Sequence, residues 1–150
     1  MTFAIEHIMI SLAGVLRAQY PDYPVFGSPN QQGVKFPCFF IFLMPSTVDD
    51  HVDGRFYRDL GIDIVFVQER NTLNGNDEIQ AIQEFLDYSL ETFPYTDGSG
   101  PSVELHTYER QASVEDQELH YQLHVRQRVS IPRKANPMKK MEENNASIKE

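Results

Sequence analysis

The sequence predicts an α+β domain: a mostly antiparallel sheet of about five strands, with two helices packed mainly on one face. Three observations predict it. Two segments, at the N-terminus and around residues 78–93, place apolar residues at helical spacing. Other runs repeat their apolar residues every second position, as half-buried strands do. Clusters rich in Pro, Gly, Asn and Asp separate these runs. The order is helix, three strands, helix, two strands.

The first helix is expected from a Thr2 cap to about Tyr20, with Ile5, Ile8, Met9, Leu12, Val15 and Leu16 on one stripe. Pro21 and Pro24 end it, since proline cannot continue the hydrogen-bond ladder. A short strand near Val25 and Phe26 and a second beginning near Phe36 read as a hairpin with a long loop. Ser46–Gly54 reads as an acidic loop, and the segment from Arg55 as a long strand. Phe56, Leu60, Ile62, Ile64 and Phe66 share one face of that strand, with Arg58 intruding. Asn76 or Asp77 is expected to cap the second helix, which carries Ile79, Ile82, Phe85, Leu86, Leu90 and Phe93 to the breaker Pro94–Pro101. The last two strands form a hairpin around Ala112–Glu118. The final one alternates cleanly, with Leu119, Tyr121, Leu123, Val125, Val129 and Ile131 inward and His120, Gln122, His124, Arg126 and Arg128 outward. Residues 1–132 form the domain. Residues 133–150 are too polar to offset the entropy of ordering and are expected to form a flexible tail.

One strand breaks the alternation. In "KFPCFFIFLMPS", Lys35–Ser46, both faces are apolar: Phe36, Cys38, Phe40, Phe42 and Met44 on one, Pro37, Phe39, Ile41 and Leu43 on the other. Two helices cover one face of such a sheet. Either the long loops fold over the other face or, the preferred expectation, Phe39, Ile41, Leu43, Val65 and Val67 form an uncovered patch, a candidate subunit interface.

The chain has 150 residues, a net charge of −9 and a single cysteine. That excludes an intramolecular disulfide and a cysteine metal cluster. Residues 133–150 carry five basic and three acidic groups, so the body is −11. Such a body argues against direct nucleic-acid binding, which needs Lys and Arg against phosphates. The N-terminal stretch lacks a basic leader region, and Glu6, His7 and Arg17 interrupt its apolar residues, so neither a signal peptide nor a membrane span is expected.

Candidates for chemistry fall away one by one. His120 and His124, like Asp59 and Asp63, sit four positions apart on a strand, roughly 13 Å, too far to share one ion or form a catalytic pair. The acidic stretch Asp49–Asp53 lacks the oxygen spacing and closing Glu of a calcium loop. Cys38 has no base near it in sequence and reads as a buried structural thiol. No catalytic, cofactor-binding or metal-binding residues emerge, and an enzyme is not expected.

The blocks "PDYPVF", "FPCFFIFLMPS", "GRFYRDLGIDIVF" and "LHYQLHVRQRV" resemble, in order and over residues 3–131, the tail terminator family of tailed phages and phage-like particles. The departures are Phe36, where the family motif has an acidic residue before the proline, and the polar tail. The resemblance implies a structural virion protein, assembled in the host cytoplasm, without catalytic residues, cofactor, metal or membrane. It implies a homo-oligomer, a hexameric ring, that caps the tail tube and stops its growth. Its partners would be the tail tube protein, the sheath protein where the tail contracts, and the head-side connector protein, with DNA passing through unspecifically. Asp49, Asp50 and Asp53 are the candidate lumen or rim residues, because an acidic lining lets DNA slide without sticking. The alternatives are another head–tail connector, a tail-tube subunit, or a small cytoplasmic ligand-binding domain. The last would show a concave pocket with convergent polar groups.

Overall fold

The computed structural model describes residues 3–27, 34–70 and 72–131. Thr2 and the 133–150 tail lie outside them. Helix α1 (Ile5–Gln19) starts after Ala4, which provides no side-chain cap, and ends at Tyr20, whose N–H donates to the Leu16 carbonyl. Then come β1 (Val25–Phe26), β2 (Cys38–Leu43), β3 (Thr47–Asp50) and β4 (Arg55–Val67). Helix α2 (Gly75–Ser89) is followed by β5 (Thr92–Tyr95), β6 (Val103–Glu115) and β7 (Glu118–Ser130). One sheet of seven strands holds them in the order β1-β2-β4-β7-β6-β5, with β3 also paired to β4. It is α+β, as expected, but the sheet is mixed and has more strands than the five anticipated.

Three corrections account for the difference. First, β1 runs parallel to β2, with Val25 opposite Phe39, so the pair is not a hairpin. Residues 27–37 separate the two strands, a longer connection than a tight hairpin turn uses. Second, the supposed acidic loop contains β3, antiparallel to β4 with Asp49 opposite Tyr57. Its exposed acidic side chains hide a backbone that pairs on one edge. Third, α2 stops at Ser89 behind an Asn74 N-cap in the left-handed conformation (φ 59°). Phe93 and Tyr95 belong to β5, where Pro94 is tolerated because the strand lies at the sheet edge.

Strands β2 and β3 are two parts of one path along β4, broken by a bulge. Leu43 faces Ile62 and Thr47 faces Asp59, so Met44, Pro45 and Ser46 oppose only Leu60 and Gly61. The Met44 N–H donates to the Gly61 carbonyl (2.9 Å). A side chain at Gly61 would meet Met44 Cβ at 3.0 Å and the Pro45 carbonyl oxygen at 3.3 Å, so the bulge needs glycine there.

Both helices lie on the same face. Ile8, Leu12 and Leu16 of α1 and Ile79, Ile82 and Leu86 of α2 join Phe39, Ile41, Leu60, Ile62, Ile64, Phe66, Tyr121 and Leu123 in one core. The opposite face has its own small cluster of Cys38, Phe40 and Val65, with Phe26, Val34, Phe42 and Val67 packed against it. The Phe26 and Phe40 rings lie 5.7 Å apart, and Phe40 stacks on Phe42 at 5.7 Å. So β2 is apolar on both sides because each side has its own partners within the subunit.

Candidate functional site: the uncovered sheet face and its edges

The face of the sheet away from the helices is polar beyond the Phe40 cluster. Its polar side chains pair across β4 and β7 on diagonals, the second-nearest cross-strand positions. His120 Nδ1 lies 3.1 Å from Asp63 Oδ2, and its Nε2 lies 3.4 Å from Glu118. His124 Nδ1 lies 3.3 Å from Asp59, which also accepts a hydrogen bond from the Tyr108 hydroxyl. Farther along, Arg126 and Arg128 approach the Tyr57 ring, with the Arg126 guanidinium 4.9 Å from its centroid.

The electrostatics of this face follow from burial and pairing. Burial alone would lower the His120 pKa, but the hydrogen bond to Asp63 and the charges of Asp63, Glu118 and Glu115 raise it overall. Burial and the bond to Asp59 push Tyr108 up to about 12. On the helix side, burial and the bond to Asp87 do the same for Tyr121. The sequence carries a sign of this ladder: carboxylates at 59 and 63 match histidines at 120 and 124 in spacing. Read strand by strand, each pair is too far apart to interact. The register across strands brings each His to its own Asp. Among the described residues, no three His, Cys, Asp or Glu side chains converge to hold a metal ion.

The five-residue patch Phe39, Ile41, Leu43, Val65 and Val67 is corrected. Phe39 and Ile41 are 0% and 3% exposed, under the helices. Val65 and Val67 lie on the other face, because Phe39 opposes Phe66 and Phe40 opposes Val65. Directly opposed residues share a face, so Val65 goes with Phe40 and not with Phe39. Leu43, at the end of β2, is half exposed. Asp49 and Asp50 are exposed on β3, and Asp53 sits in the β3–β4 turn within 3.8 Å of Arg55 and 3.4 Å of Arg128. Cys38 is fully buried, and burial, with Glu118 nearby, pushes its thiol up to about 11. It is protonated at neutral pH and unsuited to nucleophilic attack.

A cleft of about 660 Å³ between α1, α2 and β5 is lined by Ile10, Val15, Ala18, Phe85, Pro94 and small neighbours. Among the described residues its polar lining is Ser11, Gln19, Ser89 and Thr96, and none of them is charged. Among the described residues no helix is long and apolar enough to cross a membrane.

A seven-stranded sheet backed by two helices, with polar pairs on its open face, defines a structural α+β subunit. The chain belongs to the phage tail terminator protein family, whose model matches residues 7–137, and it is a phage tail structural protein. A chain from a solved structure, "Virion of native gene transfer agent (GTA) particle", is similar at 16% identity, with 85% of this chain and 98% of that one covered. Its TM-score is 0.45, too low a likeness to carry an argument about function. No curated protein matches in sequence.

Proposed function

We propose that the protein forms a ring, hexameric as the resemblance implies, that caps the completed tail tube and stops its growth. The ring offers its other side to the head-side connector protein. Its tube-side partners are the tail tube protein and, in a contractile tail, the sheath protein. The observation that carries this reading is the family match across nearly all of the described domain. The subunit works by presenting surfaces, and DNA passes through without specific binding.

In this reading the β3–β4 turn lies at the rim, with Asp49, Asp50 and Asp53 toward the passing DNA. Their acidity supports it, since like charge keeps the polymer from adhering. Asp53 is the weakest of the three, because Arg55 and Arg128 offset its charge. Subunit contacts fall to surface-exposed parts of the chain, not to Phe39 and Ile41, which the helices already cover.

Native mass spectrometry joined to negative-stain imaging of the purified protein, alone and with tail tubes, tests the reading. The expected result is a closed ring of identical subunits, free or seated on tube ends. A chain that stays monomeric in both conditions would overturn it.

A further inference from the structure

The sheet is left unfinished at two places, at opposite ends of its two edges. On one edge, β1 covers β2 beside Phe39 and Phe40, but among the described residues nothing pairs with the outer side of β3. On the other edge, β5 covers β6 over Val103–His106. Beyond Thr107, whose N–H donates to the Glu91 carbonyl, the outer side of β6 has no backbone partner among the described residues. Unpaired edges are templates for another strand.

We propose that β3 of one copy pairs antiparallel with the second half of β6 of the next, joining the sheets around the ring. The idea rests on the ring reading above and names its contact. Direction fits. β3 is antiparallel to β4, β4 to β7 and β7 to β6, so β3 and β6 run in opposite senses within one sheet. A copy continuing that sheet therefore presents β6 antiparallel to β3. The contact is head-to-tail and closes when the rotation per subunit divides a full turn and the step has no rise along the ring axis.

The backbone fits as well. The His51 N–H donates to the Arg55 carbonyl (3.0 Å), so His51, Asp49 and Thr47 turn their backbone groups toward β4. Those of Val48 and Asp50 point outward. On β6, the two-residue turn Asp116–Gln117 has both φ values positive (50° and 64°) and joins the opposed pair Glu115 and Glu118. A turn of that type is closed by a hydrogen-bonded pair, so Val114 and Ala112 point outward. Placing Val48 opposite Val114 then sets Asp50 opposite Ala112, and about four backbone hydrogen bonds form.

Side chains agree with this register. Val48 and Val114 are 55% and 52% exposed, and both lie on the helix side, since they oppose Arg58 and Leu119 within the subunit. Each would cover the other. Asp49 falls opposite Ser113 and Thr47 opposite Glu115, so these two carboxylates each meet a hydroxyl; Asp50 meets the small Ala112, and no like charges are opposed. Asp49 remains on the open face of the sheet.

The test is a double variant, Asp49→Cys with Ser113→Cys, a pair expected at a Cα separation of about 4.5 Å, within disulfide reach. Mild oxidation should give a ladder of linked subunits ending at the ring size, while each single variant stays unlinked. A second variant, Val114→Pro, removes an outward N–H and should yield folded subunits that no longer form rings. If the wild-type ring forms but the double variant links no better than the off-register pair Asp49→Cys with Glu104→Cys, the pairing is overturned and the ring stands. Full rings from a folded Val114→Pro subunit would also overturn it. A wild-type chain that forms no ring, alone or on tubes, removes both.

Discussion

The burial of single side chains decides which substitutions damage the fold and which damage assembly. Ile41 lies under α1 and the rest of the core, so Ile41→Ala should cost about 2–5 kcal/mol of subunit stability through the cavity it leaves. Ile41→Asp should prevent folding altogether, not release folded monomers; thermal melts of the purified variants separate the two outcomes. Cys38 sits in the smaller cluster on the other face, with its thiol pushed up to about 11. Native protein should resist thiol reagents at pH 8 and react only in denaturant, and Cys38→Ala should cost about 1 kcal/mol without loss of assembly. Gln127 behaves differently from both. It is 4% exposed, and among the described residues neither polar atom of its amide has a partner. Burial of an unpaired amide costs about 1–3 kcal/mol. Gln127→Leu should therefore not lower the melting temperature, and a clear drop would mean the amide is satisfied in the protein.

At the scale of elements, the paired strands β4 and β7 and both helices were legible because their apolar periods are long and regular. β3 and β5 were not. β3 is four residues long and exposed on both faces, so it has no burial period to read; only its pairing to β4 makes it a strand. β5 continues the apolar spacing of α2 through Leu90 and Phe93, and only the change of direction at the sheet edge separates them. The interface residues failed for a related reason. Alternation within β2 is visible in sequence, but which half joins which half of β4 depends on register, and a one-residue slip exchanges the faces. The same register creates the His120–Asp63 pair. His120 has a raised pKa in the folded subunit, so its protonation stabilises the fold below its unfolded value near 6.5. That contribution is lost as pH rises through the folded pKa. Melting temperature should fall as pH rises from about 6.5 through the raised folded value, and His120→Gln should flatten the fall. An unchanged slope in the variant would remove His120 as the cause.

For the whole molecule, family and architecture agree on a subunit whose work is contact. The family match spans residues 7–137, and the ring, the cap and the connector surface are what we propose for this subunit. A terminator differs from any other tail subunit in one respect: it ends a polymer. The most direct measurement is the length distribution of tail tubes, by electron microscopy, when tube protein polymerises with and without this protein. Tubes of limited length carrying a ring at one end are expected when the protein is present, and continued growth when it is absent. Tubes that grow to the same lengths in both cases, with no ring at their ends, would contradict it.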